Sequence, residues 1–133
     1  MRLSKEEKLH IDEQMQALFP TYKKVEEFDN QVHYQDGKLT VCIFKGLPHI
    51  GEPNQVILCF NETNDHFGVA YMDFVINKKR KLSYDHDYLL KFLSEHIKEM
   101  SDYSFCNKCL KKYDKHLKRV IMFERLFRRG KRL

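Results

Sequence analysis

Two cysteines and a histidine near the C-terminus have types and spacing that could hold a metal ion. Cys106 and Cys109 form a C-x-x-C pair, and His116 follows seven residues after the second cysteine. Zinc needs about four thiolate or imidazole ligands in a tetrahedral array. A second C-x-x-C or H-x-x-H pair is missing from the sequence, and the spacing falls on a predicted helix. We therefore predict free thiols, no structural metal and no cofactor, with a metal site completed by His86 or His96 as the alternative.

Acidic and histidine residues also occur together in Asp85-His86-Asp87, a grouping that could serve acid–base chemistry. A helix N-terminus favours the same residue types, because their side chains accept hydrogen bonds from free backbone N–H groups. His49 lies in a predicted loop, where function is common, but one histidine makes no catalytic site. No G-x-S-x-G, phosphate-binding glycine-rich loop or H-E-x-x-H motif is present. The sequence favours a protein without catalytic activity, and a cysteine–histidine pair assembled from distant positions is the enzyme alternative.

Positive charge is concentrated in the last quarter of the chain. Residues 111–133 contain ten lysines and arginines against two acidic residues, Asp114 and Glu124, which gives this segment a net charge of +8. The whole chain carries +5, so residues 1–110 sum to −3. A separated basic segment predicts an acidic partner, which could be nucleic acid, an acidic protein surface or an anionic membrane.

Helical spacing would place most of these cations on one face. At about 100° per residue, they fall in one sector of about 140°, opposite an apolar sector. After residue 122 this pattern fails, so residues 123–133 are predicted to be a basic tail that can fray. The apolar sector consists of Leu110, Tyr113, Leu117, Val120 and Ile121. The predicted binding residues are Lys111, Lys112, Lys115, Lys118, Arg119, Arg125, Arg128 and Arg129.

Four interpretations of this basic face remain open. It could be a solvated helix surface whose cations complement the helix dipole. It could contact a nucleic-acid backbone, which is the leading functional hypothesis. It could bind an acidic protein as an inhibitor, immunity-type or adaptor module, with Phe123, Leu126 or Phe127 as apolar anchors. The same three residues could also favour a membrane surface.

Capping residues and apolar periodicity predict three helices. The first starts directly after the capping box that Ser4 and Glu7 form and ends before Pro20. The second follows a cap at Asp85 or Asp87 and has an apolar stripe at helical spacing. The third starts near residue 105 and contains the basic face.

Alternating side chains between the first two helices predict four strands. The dipeptide Asp36-Gly37 predicts a hairpin turn. The segment 45–54 holds two of the three prolines and two of the five glycines, so it is predicted to be a long loop. The strands are predicted around Val32 and Tyr34, over 39–44, over 56–60 and from about 66 to 76.

These elements predict an α+β fold in one domain, residues 1–133. Short turns between successive strands favour a four-stranded antiparallel meander, preceded by an N-terminal helix and covered on one face by two C-terminal helices. The chain is long enough for one core, with 42% hydrophobic residues. No signal peptide and no apolar run of about 20 residues is present. We therefore expect a cytoplasmic protein with free thiols at Cys42, Cys59, Cys106 and Cys109.

Overall fold

The computed structural model describes residues 2–47 and 52–101, together with Lys111, Lys115, Lys118, Arg119 and Met122. The five strands within this part form one antiparallel sheet in the order β1-β2-β3-β4-β5. The predicted α+β class and antiparallel meander are confirmed, whereas the predicted number of four strands is wrong. The elements of 2–47 and 52–101 are α1 (Lys5–Leu18), β1 (Lys23–Glu27), β2 (Gln31–Asp36), β3 (Leu39–Leu47), β4 (Glu52–Phe60), β5 (Asp65–Gly68), α2 (Val69–Ile76) and α3 (His86–Met100).

Local capping sets the start of α1. The Ser4 hydroxyl accepts a hydrogen bond from the Glu7 backbone N–H at 3.1 Å, and the Glu7 carboxylate accepts one from the Ser4 backbone N–H at 3.1 Å. This reciprocal pair satisfies two backbone donors that would otherwise lack partners. The helix ends at Leu18, two residues before Pro20. Both predicted bounds of α1 are confirmed.

One face of the sheet carries the core. The strand register aligns Val32 of β2, Ile43 of β3 and Val56 of β4, and each is at most 1% exposed. Side chains alternate between the two faces of a strand, so every second residue joins this row. Helices α1, α2 and α3 pack against the same cluster, which stabilises the fold by removing apolar surface from water. The helices contribute Ile11, Met15, Val69, Ala70, Met72, Leu89, Leu90, Leu93 and Met100.

The segment after β5 corrects the predicted fourth strand. The sequence predicts a strand to about residue 76, whereas β5 ends at Gly68 and α2 begins at Val69. Six of the eight residues of α2 are buried, from Val69 to Val75. Because nearly every position is covered, the apolar run has no period that would separate a helix from a strand. At Gly68 a side-chain Cβ would lie 2.7 Å from Cδ2 of Tyr71, so any larger residue at this junction would displace the Tyr71 ring.

Two other differences concern the strands. All five residues of β1 are exposed, so this edge strand lacks the apolar alternation that predicts strands. Its charged side chains discourage pairing with other chains at the open edge. The predicted loop 45–54 is largely strand, because β3 continues to Leu47 and β4 begins at Glu52. Residues 48–51, which include His49, lie outside the described residues.

The C-terminal part is described at five helical positions, from Lys111 to Met122. The predicted packing of this helix on the sheet lies outside the described residues, as does the predicted tail 123–133. Within the described residues, no helix is both long and apolar enough to cross a membrane.

Candidate functional site: a basic helix face and a polar cleft

The described C-terminal positions share one exposed helix face. Lys111, Lys115, Lys118, Arg119 and Met122 are all α-helical and exposed. Steps of four, three, one and three residues place their side chains within a sector of about 100°. Met122 is 65% exposed, so an apolar side chain lies among the cations. We call these five residues the basic face.

The positive charge of the basic face is uncompensated by the acidic residues that the structure describes. Each of the four cations is exposed, and none takes part in an ion pair among the described residues. The structure therefore brings four of the eight predicted binding residues onto one surface. The other four lie outside the described residues: Lys112, Arg125, Arg128 and Arg129. The predicted thiols and imidazole of Cys106, Cys109 and His116 also lie outside them.

A polar cleft of about 350 Å³ lies between the N-termini of α1 and α3 and the β4 strand. The two helix starts bring histidines and carboxylates together here, because acidic residues favour helix N-termini. Asp85 caps α3 by accepting a hydrogen bond from the Asp87 N–H at 3.1 Å, which confirms the predicted cap. The cleft is lined by Glu6, Glu7, His10, Ile11, Asn54, Asp85, His86 and Asp87.

The pKa values of the two histidines of the cleft are shifted in opposite directions. Nε2 of His10 donates to both carboxylate oxygens of Asp87 at 2.8 Å, and this bond raises the pKa of His10. Nε2 of His86 donates to the Phe44 carbonyl at 2.6 Å. Burial disfavours the charged imidazole, so the pKa of His86 is lowered. The cleft thus pairs a histidine that favours its charged form with one that favours its neutral form.

Carboxylates dominate the charge of the cleft. Glu7 binds Nζ of Lys45 at 2.6 Å, and this lysine lowers the pKa of Glu7. Glu6, Asp85 and Asp87 add further negative charge at the same opening. Such a cleft repels phosphate, so its chemistry is distinct from that of the basic face. No group of three or more histidine, cysteine or acidic residues in the described part of the chain could hold a metal ion.

A second cation-bearing site surrounds a buried carboxylate on α2. Asp73 is fully buried, and Nζ of Lys79 lies 2.9 Å from its Oδ2. The Tyr88 hydroxyl donates to Asp73 Oδ1 at 3.1 Å, and the Asn77 amide donates to the same oxygen. Lys79 also lies 4.1 Å from the centre of the Tyr88 ring. The Tyr88 hydroxyl and Asp73 raise the pKa of Lys79, which therefore stays charged and bound to this cluster.

Local sequence patterns miss these sites because their members are distant in the chain. His10 and Asp87 are separated by 77 positions, so the grouping Asp85-His86-Asp87 predicts the start of a helix but not the contact with His10. Asp73 falls inside the predicted strand. No local sequence pattern there predicts that its carboxylate is buried and accepts hydrogen bonds from Asn77, Lys79 and Tyr88. Cys42 is buried and Cys59 is partly exposed, and the register places both on the sheet face opposite the core cluster. Both are free thiols, as predicted.

Comparison with known proteins leaves the family of this chain open. No family model, no curated protein and no solved structure matches it. The function is therefore argued from the geometry and charge of the sites described above.

Proposed function

We propose that this chain is a small non-catalytic protein that binds the phosphate backbone of nucleic acid through its basic face. The observation that carries the proposal is the exposure of Lys111, Lys115, Lys118 and Arg119 on one side of a helix, without acidic partners among the described residues. Lysine and arginine bind phosphates by charge and hydrogen bonds that carry no sequence information. We therefore expect binding with little sequence preference.

The length of the basic face suits a few adjacent phosphates. Arg119 follows Lys111 by eight positions, which is about 12 Å along a helix. One strand of duplex DNA carries a charge about every 3.4 Å along its axis. Four cations over this length can contact about four phosphates. The net charge of −3 on residues 1–110 opposes binding in other orientations, so the basic face also orients the approach.

The salt dependence of binding tests the proposal. Four phosphate contacts predict a slope of log K against log salt of about −3.6 for duplex DNA, and about −2.8 for a single strand. Between about 50 and 200 mM salt, affinity for the duplex should fall about 150-fold. Fluorescence anisotropy with a short labelled DNA duplex and a short labelled RNA measures both slopes.

A charge-reversal pair and a matched control locate the binding surface. Lys115→Glu combined with Arg119→Glu should abolish the anisotropy change, since two of four cations become anions. Lys91→Glu combined with Lys98→Glu changes the net charge equally at exposed positions of α3 and should bind like the parent. Equal loss in both pairs would show that net charge and not the basic face is responsible.

Met122 supports a second candidate, an acidic protein partner. Its exposed thioether lies among the cations, and methionine adapts well to apolar contact surfaces. An acidic protein would bind through this anchor as well as the charges, and salt would change its on-rate more than its affinity. The absence of any anisotropy change with DNA or RNA at low salt would remove the nucleic-acid proposal in favour of this one.

A further inference from the structure

The two central strands bring two cysteines into contact on the sheet face opposite the core cluster. Cys42 of β3 pairs with Ile57, and Cys59 of β4 pairs with Thr40, so the cysteines are diagonal neighbours. Their Sγ atoms lie 3.7 Å apart. This is sulfur–sulfur contact, and both side chains already point towards each other without a covalent bond. A disulfide requires an Sγ–Sγ distance of about 2.05 Å, so the sulfurs must approach by about 1.7 Å.

The two thiols differ in exposure. Cys42 is 5% exposed, whereas Cys59 is partly exposed. The two sulfurs share one hydrogen bond, and with the more buried Cys42 as the donor this bond lowers the pKa of Cys59. The same bond, together with burial, raises the pKa of Cys42. The accessible sulfur is thus the one that more readily becomes a thiolate, which is the reactive form of cysteine.

The side chains next to the two thiols on the sheet also differ. Next to Cys42 in the register lies His33 of β2, and beyond it Glu26 of β1, whose charge further raises the pKa of Cys42. Next to Cys59 lies the exposed His66 of β5. The charge of Glu26 therefore disfavours the thiolate of Cys42, whereas the strand neighbour of the more exposed Cys59 is His66.

We propose that Cys42 and Cys59 form a redox-active thiol pair, which a peroxide oxidises to an intramolecular disulfide between β3 and β4. The Cys59 thiolate attacks one peroxide oxygen, the O–O bond breaks, and Cys59 becomes a sulfenic acid. The other oxygen leaves as hydroxide and takes up the proton that Cys59 released, which gives the first water. The Cys42 sulfur then attacks the Cys59 sulfur, and the S–OH bond breaks. The departing hydroxyl leaves as water with the Cys42 proton. Two thiols and one peroxide give one disulfide and two waters when the peroxide is hydrogen peroxide.

The disulfide would join diagonal neighbours on two adjacent antiparallel strands. Dithiols reduce disulfides by thiol–disulfide exchange. Oxidation should be reversed by a dithiol, so the pair would cycle between two states.

Peptide mapping of the full-length parent protein tests the bond directly. After treatment with hydrogen peroxide, alkylation and proteolysis without reductant, the peptides containing Cys42 and Cys59 should be joined by a disulfide. Dithiothreitol should separate them. In the Cys106→Ser, Cys109→Ser variant, free thiols should fall from two to none per chain and return with dithiothreitol. Persistence of both thiols, or disulfides joining two chains, would overturn the proposal.

Single substitutions in that variant test the order of the two steps. With Cys42→Ser, Cys59 should still be oxidised, and dimedone should trap its sulfenic acid. With Cys59→Ser, Cys42 should resist the same peroxide treatment because it is buried and protonated. The opposite pattern would overturn the assigned order. Peptide mapping of the parent protein shows whether the disulfide between Cys42 and Cys59 forms, even if a single variant fails to fold.

Discussion

Lys79 and the basic face carry the same charge in opposite surroundings. Lys79 binds a fully buried carboxylate and a tyrosine hydroxyl, so its charge is required to compensate Asp73. The cations of the basic face are exposed and lack ion-pair partners among the described residues. The comparison teaches that lysines of the same charge can have different roles. A lysine with a buried carboxylate partner stabilises the fold, whereas an exposed lysine without such a partner is available to a ligand.

The largest effect in this comparison should come from Lys79→Met. The substitution keeps the aliphatic stem but leaves the buried Asp73 carboxylate without its cation. Removing one partner of a buried ion pair usually costs about 3 to 5 kcal/mol. We expect about 2 to 3 kcal/mol, because Asn77 and Tyr88 still donate and Lys79 is itself one-third exposed. Urea denaturation measures the loss in the free energy of unfolding.

Lys115→Met is the matched control for that measurement. The same chemical change at an exposed helical position should alter the free energy of unfolding by less than about 0.5 kcal/mol. Equal destabilisation by the two substitutions would contradict the distinction between the buried-partner lysine and the basic face.

A smaller effect is expected from Tyr88→Phe. This substitution removes the hydroxyl that donates to Asp73 at 3.1 Å and keeps the aromatic ring near Lys79. Loss of one hydrogen bond to a charged group should cost about 1 to 2 kcal/mol, reduced because Tyr88 is 38% exposed. Thermal unfolding should be measured for Tyr88→Phe and for Tyr88→Leu, which removes the ring as well as the hydroxyl. The difference between the two melting temperatures gives the contribution of the cation–π contact. An unchanged melting temperature in Tyr88→Phe would show that Asn77 and Lys79 suffice for Asp73.

The smallest effect on stability concerns the pair of His10 and Asp87. Its side chains are half exposed, so they are less buried than Asp73 but, unlike the cations of the basic face within the described residues, they form an ion pair. Asp87 raises the pKa of His10 in the folded chain. This contribution to stability is therefore fully present below the ordinary pKa of about 6.5 and is lost as the pH rises through the folded value. Asp87→Asn should remove this pH dependence with little effect at high pH. Imidazole proton NMR follows the titration of His10 directly.

His86 supplies an internal reference for the same titration. Burial lowers its pKa, so its contribution to stability is present above the ordinary value and lost as the pH falls. The two histidines should therefore titrate on opposite sides of about 6.5 in the parent protein. In Asp87→Asn, the pKa of His10 should fall while His86 stays below the ordinary value. An unchanged pKa of His10 would contradict the pairing.

Local chemistry explains which elements the sequence predicts correctly. The capping box of Ser4 and Glu7 and the cap at Asp85 specify the starts of α1 and α3, because these bonds join residues within three positions. The dipeptide Asp36-Gly37 predicts the β2–β3 hairpin because Gly37 adopts a φ of +58°. The strand β1 and the helix α2 were not predictable in this way. All of β1 is exposed and nearly all of α2 is buried, so neither has an amphipathic period.

By itself the sequence determined the antiparallel α+β class, the ends of α1, the start of α3 and the separation of positive charge towards the C-terminus. These properties depend on residue type and on neighbours within one or two turns of the chain. Tertiary structure alone decided that Lys79 compensates Asp73, that His10 meets Asp87 across 77 positions, and that Cys42 contacts Cys59 across two strands. The first depends on the burial of Asp73, and the other two depend on helix packing and strand register, which bring residues distant in the chain within a few ångströms.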